Sequence, residues 1–212
     1  MKLSWVKTSW IVKKIFSNYV WDIPNNENKV YLTFDDGPTP EITEWTLNEL
    51  KNHNARATFF CIGDNIRKYP EIFQKVINEG HSIGNHTFNH LKGWKTSTKD
   101  YIENIKLHEV EQGKLNKNHC HLFRPPYGKI KSSQSKILIN QGYKIIMWDV
   151  LSEDYDATIT PQQCLENILN NVTSGSIIVF HDSEKAFKNL EYTLPRTLKY
   201  LNEKGFVCDK IN

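Results

Sequence analysis

Two histidines four residues apart and two adjacent aspartates have the clearest chemical potential in this sequence. His86 and His90 stand at i and i+4, a spacing that one helical turn would present side by side to a single cation. Asp35 and Asp36 directly follow an apolar run, and either could supply a third ligand. Three protein ligands leave positions open for water and substrate, as in a catalytic metal site. The second aspartate would then be free to take a proton from the attacking water.

Other polar side chains of catalytic type also follow short apolar runs. They are Arg124, Asp149, Asp154, His181 and Asp182. Each alone has an ordinary structural explanation, such as turn capping or a surface position. In a fold of parallel strands, however, the positions directly after the strands converge at one face, where active sites are built. The joint placement therefore predicts a single site at that face.

The elements that would position these residues alternate along the chain. Apolar runs rich in β-branched and aromatic residues predict seven strands, at 30–34, 57–62, 81–84, 121–123, 144–148, 176–180 and 206–210. Segments with helical periodicity lie between them, and glycines that could close those helices precede four of the strands, at Gly80, Gly142, Gly175 and Gly205, with Asn54 in a similar position. A G-x-G-x-x-G loop does not follow the first strand, which opposes a dinucleotide-binding sheet. We expect an α/β fold with a barrel-like sheet of about seven parallel strands.

Length, composition and charge narrow the class of protein. The 212 residues, 39% of them hydrophobic, suffice for one globular domain. The net charge of +3 and the absence of a sustained basic block give no reason to expect a nucleic-acid partner. The four cysteines form no C-x-x-C pair, so free buried thiols are expected. Oligomeric state cannot be inferred from these features.

The first 28 residues are predicted to form a separate basic, amphipathic helical segment, and residues 29–212 the domain. Leu3, Val6, Trp10 and Ile11 would share one side of that helix, which could dock on the domain or contact a membrane surface. The apolar stretches are too short for a secretory signal or a membrane-spanning helix. The sequence alone thus favours a cytoplasmic location or a peripheral one at the membrane surface.

Four short segments resemble, in order, the motifs of the polysaccharide deacetylases, the NodB-homology domain of carbohydrate esterase family 4. They are Thr33-Phe-Asp-Asp-Gly-Pro38, His86-Thr-Phe-Asn-His90, Arg124-Pro-Pro-Tyr-Gly128 and Phe180-His-Asp182. The resemblance implies a distorted TIM-like (β/α) barrel. It also implies that Asp36, His86 and His90 bind one divalent metal ion, most often Zn²⁺, with Co²⁺, Ni²⁺ or Mn²⁺ as alternatives.

The same resemblance implies a set of catalytic roles in the removal of N-acetyl groups from a glycan. Asp35 would be the general base, and Arg124 would keep it ionised and oriented. Tyr127 would offer its backbone N–H to the oxyanion. His181 would protonate the departing amine, held by a hydrogen bond to Asp154.

Aromatic side chains and one proline are the candidates for contact with the sugar. The predicted substrate-binding residues are Pro125, Tyr127, Tyr155 and Trp94, with Phe88 and Trp148 as further stacking surfaces. Tyr155 stands where the family often has tryptophan, and Leu151 where it often has aspartate. Neither difference removes a metal ligand, the base or the acid, but the first alters a wall of the substrate groove. The motifs are compatible with several glycan substrates, namely peptidoglycan, chitin-type, capsular and lipid-linked glycans and acetylated xylan.

Other functions remain alternatives to N-deacetylation. Two histidines and a carboxylate also form the metal site of iron oxygenases, but that hypothesis leaves Asp35, Arg124 and His181 without a role. An O-acetyl esterase acting on xylan is compatible with the same motifs. A carbohydrate-binding protein that has lost turnover is the third alternative, and acetate release would exclude it.

Overall fold

The computed structural model describes residues 5–116 and 121–212. Leu3 and Cys120 lie outside these ranges. The described strands are β1 (Lys29–Asp35), β2 (Ala57–Cys61), β3 (Ser82–Asn85), β4 (Leu122–Phe123), β5 (Lys144–Ile145), β6 (Val150–Leu151), β7 (Ile177–His181) and β8 (Val207–Cys208). The helices are α1 (Trp10–Ile15), α2 (Ile42–Asn52), α3 (Gly63–Lys68), α4 (Pro70–Asn78), α5 (Thr98–Leu115), α6 (Ser132–Asn140), α7 (Pro161–Leu169) and α8 (Glu184–Glu203), with 3-10 turns at Gly93–Lys95 and Pro126–Gly128.

The strands form one parallel sheet in the order β5-β4-β3-β2-β1-β7-β6, and β8 pairs with the beginning of β1. Only residues 146–149 separate the two edge strands β5 and β6 along the chain. Because so short a connection cannot cross a flat seven-strand sheet, the sheet must curl until its edges approach each other. This confirms the predicted α/β fold, a distorted TIM-like barrel of about seven parallel strands.

One predicted strand is wrong in detail. The run 144–148 was expected to be a single strand, but β5 ends at Ile145 and a separate strand, β6, begins at Val150. The backbone changes partner in between, since the Ile146 N–H donates to Phe123 and the Asp149 N–H donates to Ile177. The first part of the apolar run thus forms β5 and the rest belongs to the connection that leads to β6 at the other edge, and periodicity could not reveal where the strand ends.

The main core lies between the sheet and the helices that cover it. Phe34 of β1 is fully buried and stacks against Phe59 and Phe180, with ring centroids 5.0 and 5.7 Å apart. Helix α8 adds a row of fully buried leucines, Leu190, Leu194, Leu198 and Leu201. This core fixes β1 and β7 side by side, with Asp35 paired in register with His181.

Left-handed residues close the helices before β2 and β3, as the sequence predicted, whereas Gly175 lies in the turn before β7, six residues after α7 ends at Leu169. Gly175 has a φ of 88° before β7, and a Cβ there would lie 2.7 Å from the Ile23 carbonyl oxygen. Gly80 before β3 has a φ of 84°. Asn54 also adopts a positive φ, of 52°, before β2. Glycine at 175 is therefore required by both its backbone conformation and its close approach to another segment.

The N-terminal segment differs from the expected long helix. Helix α1 begins only at Trp10, so Val6 precedes it, and no residue of α1 is buried. Instead, residues 6–22 follow the seam of the barrel, where Lys7 forms an antiparallel bridge with Val150 and Val20 a parallel bridge with Ile146. Backbone pairing with the domain thus replaces helical hydrogen bonding over much of this segment.

The cysteines and the lengths of the helices bear on two further expectations from the sequence. Cys61, Cys164 and Cys208 are buried free thiols. Within the described ranges, every helix is too short or too polar to cross a lipid bilayer.

Substitution by alanine should destabilise the protein very differently at two neighbouring positions on α8. Leu198→Ala removes a fully buried side chain, so we expect the free energy of unfolding to fall by about 2–5 kcal/mol. Lys199→Ala is the matched control because that side chain is 73% exposed, and its effect should stay within about 0.5 kcal/mol. Urea denaturation measures both values. Equal effects would contradict the packing described for α8.

Candidate active site

The turn after β1 carries both aspartates. Asp35 is the last residue of β1, the strand between β2 and β7, and its side chain is buried. Asp36 follows with a φ of 82°, which turns the two carboxylates in different directions. The Asn65 side chain holds this turn by donating to the Asp36 carbonyl at 2.8 Å.

Asp182, directly after β7, fastens the other side of the same turn. Its carboxylate accepts the Gly37 N–H at 3.1 Å and the Thr43 hydroxyl at 2.5 Å. A Cβ on Gly37 would lie 2.0 Å from Asp182 Oδ2, so only glycine fits there. Burial raises the pKa of Asp182 to about 8. The turn carrying Asp36 is therefore fixed from two directions.

His86 and His90 lie on a loop, so the predicted helical turn is wrong. Thr87 and His90 both have positive φ, of 63° and 54°, which no α-helix allows. Side-chain amides replace the helical hydrogen bonds: Asn85 Oδ1 accepts the Thr87 N–H, and Asn104 Oδ1 accepts the Phe88 N–H. The two imidazoles nevertheless meet, with ring centroids 5.1 Å apart.

Asp36, His86 and His90 converge as a potential three-ligand set. Asp36 Oδ1 lies 3.2 Å from His90 Nε2 and 3.7 Å from His86 Nε2. This oxygen is buried and has no hydrogen-bond partner among the described residues. Burial lowers the pKa of His86 to about 4, and its Nδ1 donates to the Arg124 carbonyl at 2.7 Å, so Nε2 presents a lone pair. A carboxylate oxygen without a hydrogen-bond partner that faces two imidazole nitrogens fits a divalent cation.

Arg124 is fully buried and binds Asp35. Its Nη1 lies 2.7 Å from Asp35 Oδ1 and also donates to the Thr33 hydroxyl at 2.7 Å. Burial would raise the pKa of Asp35, but the charge and the hydrogen bond of the Arg124 guanidinium, together with the positive charge of His181, hold that pKa below its ordinary value. Asp35 is consequently held as a carboxylate.

His181 and Asp154 form a second pair on the opposite side of Asp35. His181 Nδ1 donates to Asp154 Oδ1 at 2.7 Å, and the His181 N–H donates to the other oxygen at 2.8 Å. Burial would lower the pKa of His181, but the Asp154 carboxylate raises it to about 9. The imidazole is therefore held protonated, with Nε2 as its remaining donor.

One cavity of about 1710 Å³ joins these groups to the predicted sugar-contacting residues. The candidates that line it are Trp94, Pro125, Tyr127, Trp148 and Tyr155. Tyr127 packs on His90 with ring centroids 4.7 Å apart, and Tyr155 packs on His181 at 5.0 Å. Phe88 is outside the cavity lining because its ring lies over Gly63, where a Cβ would be 2.7 Å away.

Comparison with known proteins identifies the family. Residues 22–146 match the family model described as polysaccharide deacetylase. The chain belongs to the polysaccharide deacetylase family.

Similar members of this family come from Bacillus cereus. One peptidoglycan-N-acetylglucosamine deacetylase is 37% identical over 180 residues, which cover 85% of this chain and 64% of that protein. Another of the same name is 33% identical, covering 88% of this chain and 87% of that protein. The chain thus spans just under two thirds of the length of the first relative.

A solved structure in the family has nearly the same fold. It is a peptidoglycan N-acetylglucosamine deacetylase in complex with 4-naphthalen-1-yl-N-oxidanyl-benzamide, with a TM-score of 0.86 and 33% identity. The alignment covers 94% of this chain and 93% of that one. The likeness therefore includes most of the N-terminal segment as well as the barrel.

Sequence reasoning missed several residues that position this deacetylase-family site. Asp182 stood within a motif but had no assigned role, and Thr33 was visible only as a polar residue in an apolar run. Asn65 and Asn104 lie on α3 and α5, away from every motif. Their amides bind loop backbone, and such contacts leave no spacing signal in a sequence.

The three-ligand geometry predicts which substitutions deplete metal. Asp36→Ala or His90→Ala removes one ligand of three, so we expect Zn²⁺ affinity to fall by more than about 100-fold. Elemental analysis after dialysis and calorimetric titration with Zn²⁺ measure the loss. His53→Ala, at the end of α2, is the control and should bind like the wild type. Retention of one equivalent of tightly bound metal by the Asp36 or His90 variant would refute the ligand set.

Proposed function

We propose that the protein is a metal-dependent hydrolase that removes N-acetyl groups from sugars of a glycan. The observation that carries the proposal is that two titratable side chains beside the potential metal ligands have pKa values shifted in opposite directions. Asp35 has a lowered pKa and His181 a raised one, and both line the cavity that contains Asp36, His86 and His90. An ionised base and a protonated acid at one site are what acetamide hydrolysis requires.

Asp35 is the proposed general base. Its carboxylate accepts a proton from the water that attacks the acetyl carbon, and Arg124 holds it ionised and in place. Thr33 restricts the guanidinium further, so the base has little freedom to turn away.

His181 is the proposed general acid. A nitrogen leaving group departs poorly unless it is protonated, and a histidine with a raised pKa supplies the proton near neutral pH. Asp154 orients the ring through Nδ1, which leaves Nε2 to donate to the departing amine.

Asp36, His86 and His90 would hold the divalent ion, for which Zn²⁺ is proposed because two imidazoles and one carboxylate suit it. When bound, such an ion supplies Lewis acidity to the acetyl carbonyl and to the attacking water. The backbone N–H of Tyr127 is proposed as a second donor to the developing oxyanion. Tyr127 has a φ of 61° in the Pro126–Gly128 turn, beside His90.

The proposed substrate is a peptidoglycan-type glycan containing N-acetylglucosamine. Support comes from the two Bacillus cereus relatives and the solved structure, all named as deacetylases of that sugar in peptidoglycan. Trp94, Pro125 and Tyr155 are proposed to contact the sugar from the cavity walls. A peripheral membrane contact through the N-terminal segment remains part of the proposal.

The proposed base makes a sharp prediction about turnover. The zinc-loaded protein should release acetate from N-acetylglucosamine oligomers or peptidoglycan fragments. Asp35→Asn should lower that rate by at least about 10²-fold while one metal ion stays bound. Asp209→Asn, at the amino end of β1, is the control and should keep wild-type activity.

Acetate from acetylated xylan alone would replace the proposal with the O-acetyl esterase. Absence of acetate from the whole panel, with metal bound, would favour the non-catalytic alternative. Loss of metal from Asp35→Asn would contradict the division of roles between Asp35 and Asp36.

The acid predicts a specific change in pH dependence. Because the acid must be protonated, kcat/KM should decline as pH rises through the pKa of His181, about 9. Asp154→Asn removes the carboxylate that raises this pKa, so the alkaline decline should begin at lower pH. Rate profiles between pH 5 and 10 measure both. An alkaline decline that stays in place in Asp154→Asn would exclude His181 as the titrating acid.

A further inference from the structure

The segment before α1 lies along the outer edge of β6. The Leu151 N–H donates to the Val6 carbonyl at 2.8 Å, and the Thr8 N–H donates to the Asp149 carbonyl at 2.9 Å. This pairing is antiparallel, so each step from Thr8 back towards Trp5 moves towards the carboxyl end of β6. That end belongs to the face of the barrel that carries the candidate site.

Trp5 therefore stands at the mouth of the site. Its side chain is 50% exposed and lines the same cavity as Asp36, His90 and His181. It lies outside the three core clusters formed by the described residues. A large aromatic surface that is not needed for the core is thus available to a molecule in the cavity.

Ion pairs fix the segment that carries Trp5. Asp149 is buried and accepts hydrogen bonds from Lys7 at 2.5 Å, Lys13 at 2.5 Å and Ser176 at 2.6 Å. Burial would raise the pKa of Asp149, but the two lysines and the serine lower it, so the carboxylate stays charged. Trp5 is only two residues from Lys7, which limits the conformational entropy that it would lose on contact with a ligand.

The cavity is larger than one sugar requires. Its volume of about 1710 Å³ exceeds the ~300–1,000 Å³ that a pocket for one small ligand occupies. Tyr127 lines it beside His90, Trp94 lines it with an exposed side chain, and Trp5 reaches it from the outer edge of β6. Exposed aromatic surfaces therefore line the cavity at separate positions, as contact with a ligand longer than one sugar would require.

We propose that Trp5 is a stacking platform for a sugar residue next to the one that is deacetylated, so that the protein selects oligomers over single N-acetylated sugars. The proposal rests on the proposed function. The flat indole matches the apolar C–H face of a pyranose ring, while the sugar hydroxyls stay in water. Leu151, which lines the cavity beside the segment, adds apolar surface at the same wall.

The test compares two exposed tryptophans of the same segment. Trp10 is 71% exposed and lies outside the described lining of the cavity, so Trp10→Ala is the matched control for Trp5→Ala. Both variants and Trp5→Phe are assayed for acetate release from N-acetylglucosamine and its oligomers of two to six residues. We expect Trp5→Ala to lower kcat/KM about tenfold on the longer oligomers, mainly through KM. Release of acetate from single N-acetylglucosamine should be unaffected, Trp5→Phe should recover most of the loss, and Trp10→Ala should behave as wild type.

Several outcomes separate this inference from the proposed function. Equal activity of Trp5→Ala and wild type at every length would overturn the platform, and so would an equal loss at every length, which would indicate a distorted site. If the wild type releases no acetate from any substrate, the proposed function fails. Calorimetric titration with the hexamer then decides the platform separately: weaker binding by Trp5→Ala than by Trp10→Ala supports it, and equal or absent binding refutes it.

Discussion

The buried ion pair between Arg124 and Asp35 is the interaction on which the candidate site depends. A guanidinium without solvent is very costly unless its donors are satisfied, and here they reach across the barrel to Asp35 and Thr33 and to the carbonyls of Ile146 and Met147. The ring of Phe60 lies 4.2 Å below it. One side chain therefore joins β1 to the connection between the two edges of the sheet. The Arg124 carbonyl also accepts a hydrogen bond from His86, so the proposed base and a proposed metal ligand share one support.

Different electrostatic environments give closely placed titratable groups of the site different pKa values. Burial acts against the charged form of both groups. Asp35 has the Arg124 cation as a partner and His181 has the Asp154 carboxylate, and these partners, together with further charged neighbours, lower the pKa of Asp35 and raise that of His181. Asp182 has no cation beside it, so burial, together with the nearby Asp36 carboxylate, raises its pKa, and its side chain holds the turn at Gly37. In an interior of low dielectric, the charge of the nearest neighbour thus separates the pKa values of the proposed base Asp35, the proposed acid His181 and the structural Asp182.

The sequence predicted the convergence of site residues because strand ends of a parallel sheet are fixed by topology. It could not predict the backbone between them. The spacing of His86 and His90 suggested a helix, yet the side chain of Asn104, on a distant helix, holds the loop in a non-helical path. The N-terminal helix was overestimated for a similar reason, because pairing of Lys7 with Val150 depends on an edge strand that the sequence did not reveal. Local patterns predicted most of the strands and helices and the residues that converge at the candidate site, whereas long-range hydrogen bonds determined the loop conformation.

The side chains in the walls of the cavity are less constrained by the core than Asp35 and His181, which end strands of the sheet. Asp35 and His181 end neighbouring strands of the buried sheet, so a shift in either would disturb the main core. Trp5, Trp94 and Tyr127 instead lie on segments outside the sheet, with large exposed surfaces. Substitution there changes what the cavity can hold at little cost in folding free energy. If the proposed function holds, the choice of glycan can change through the N-terminal segment and the loops while the proposed hydrolytic groups stay fixed. The departures from the family pattern at Leu151 and Tyr155 would then bear on the substrate rather than on the reaction.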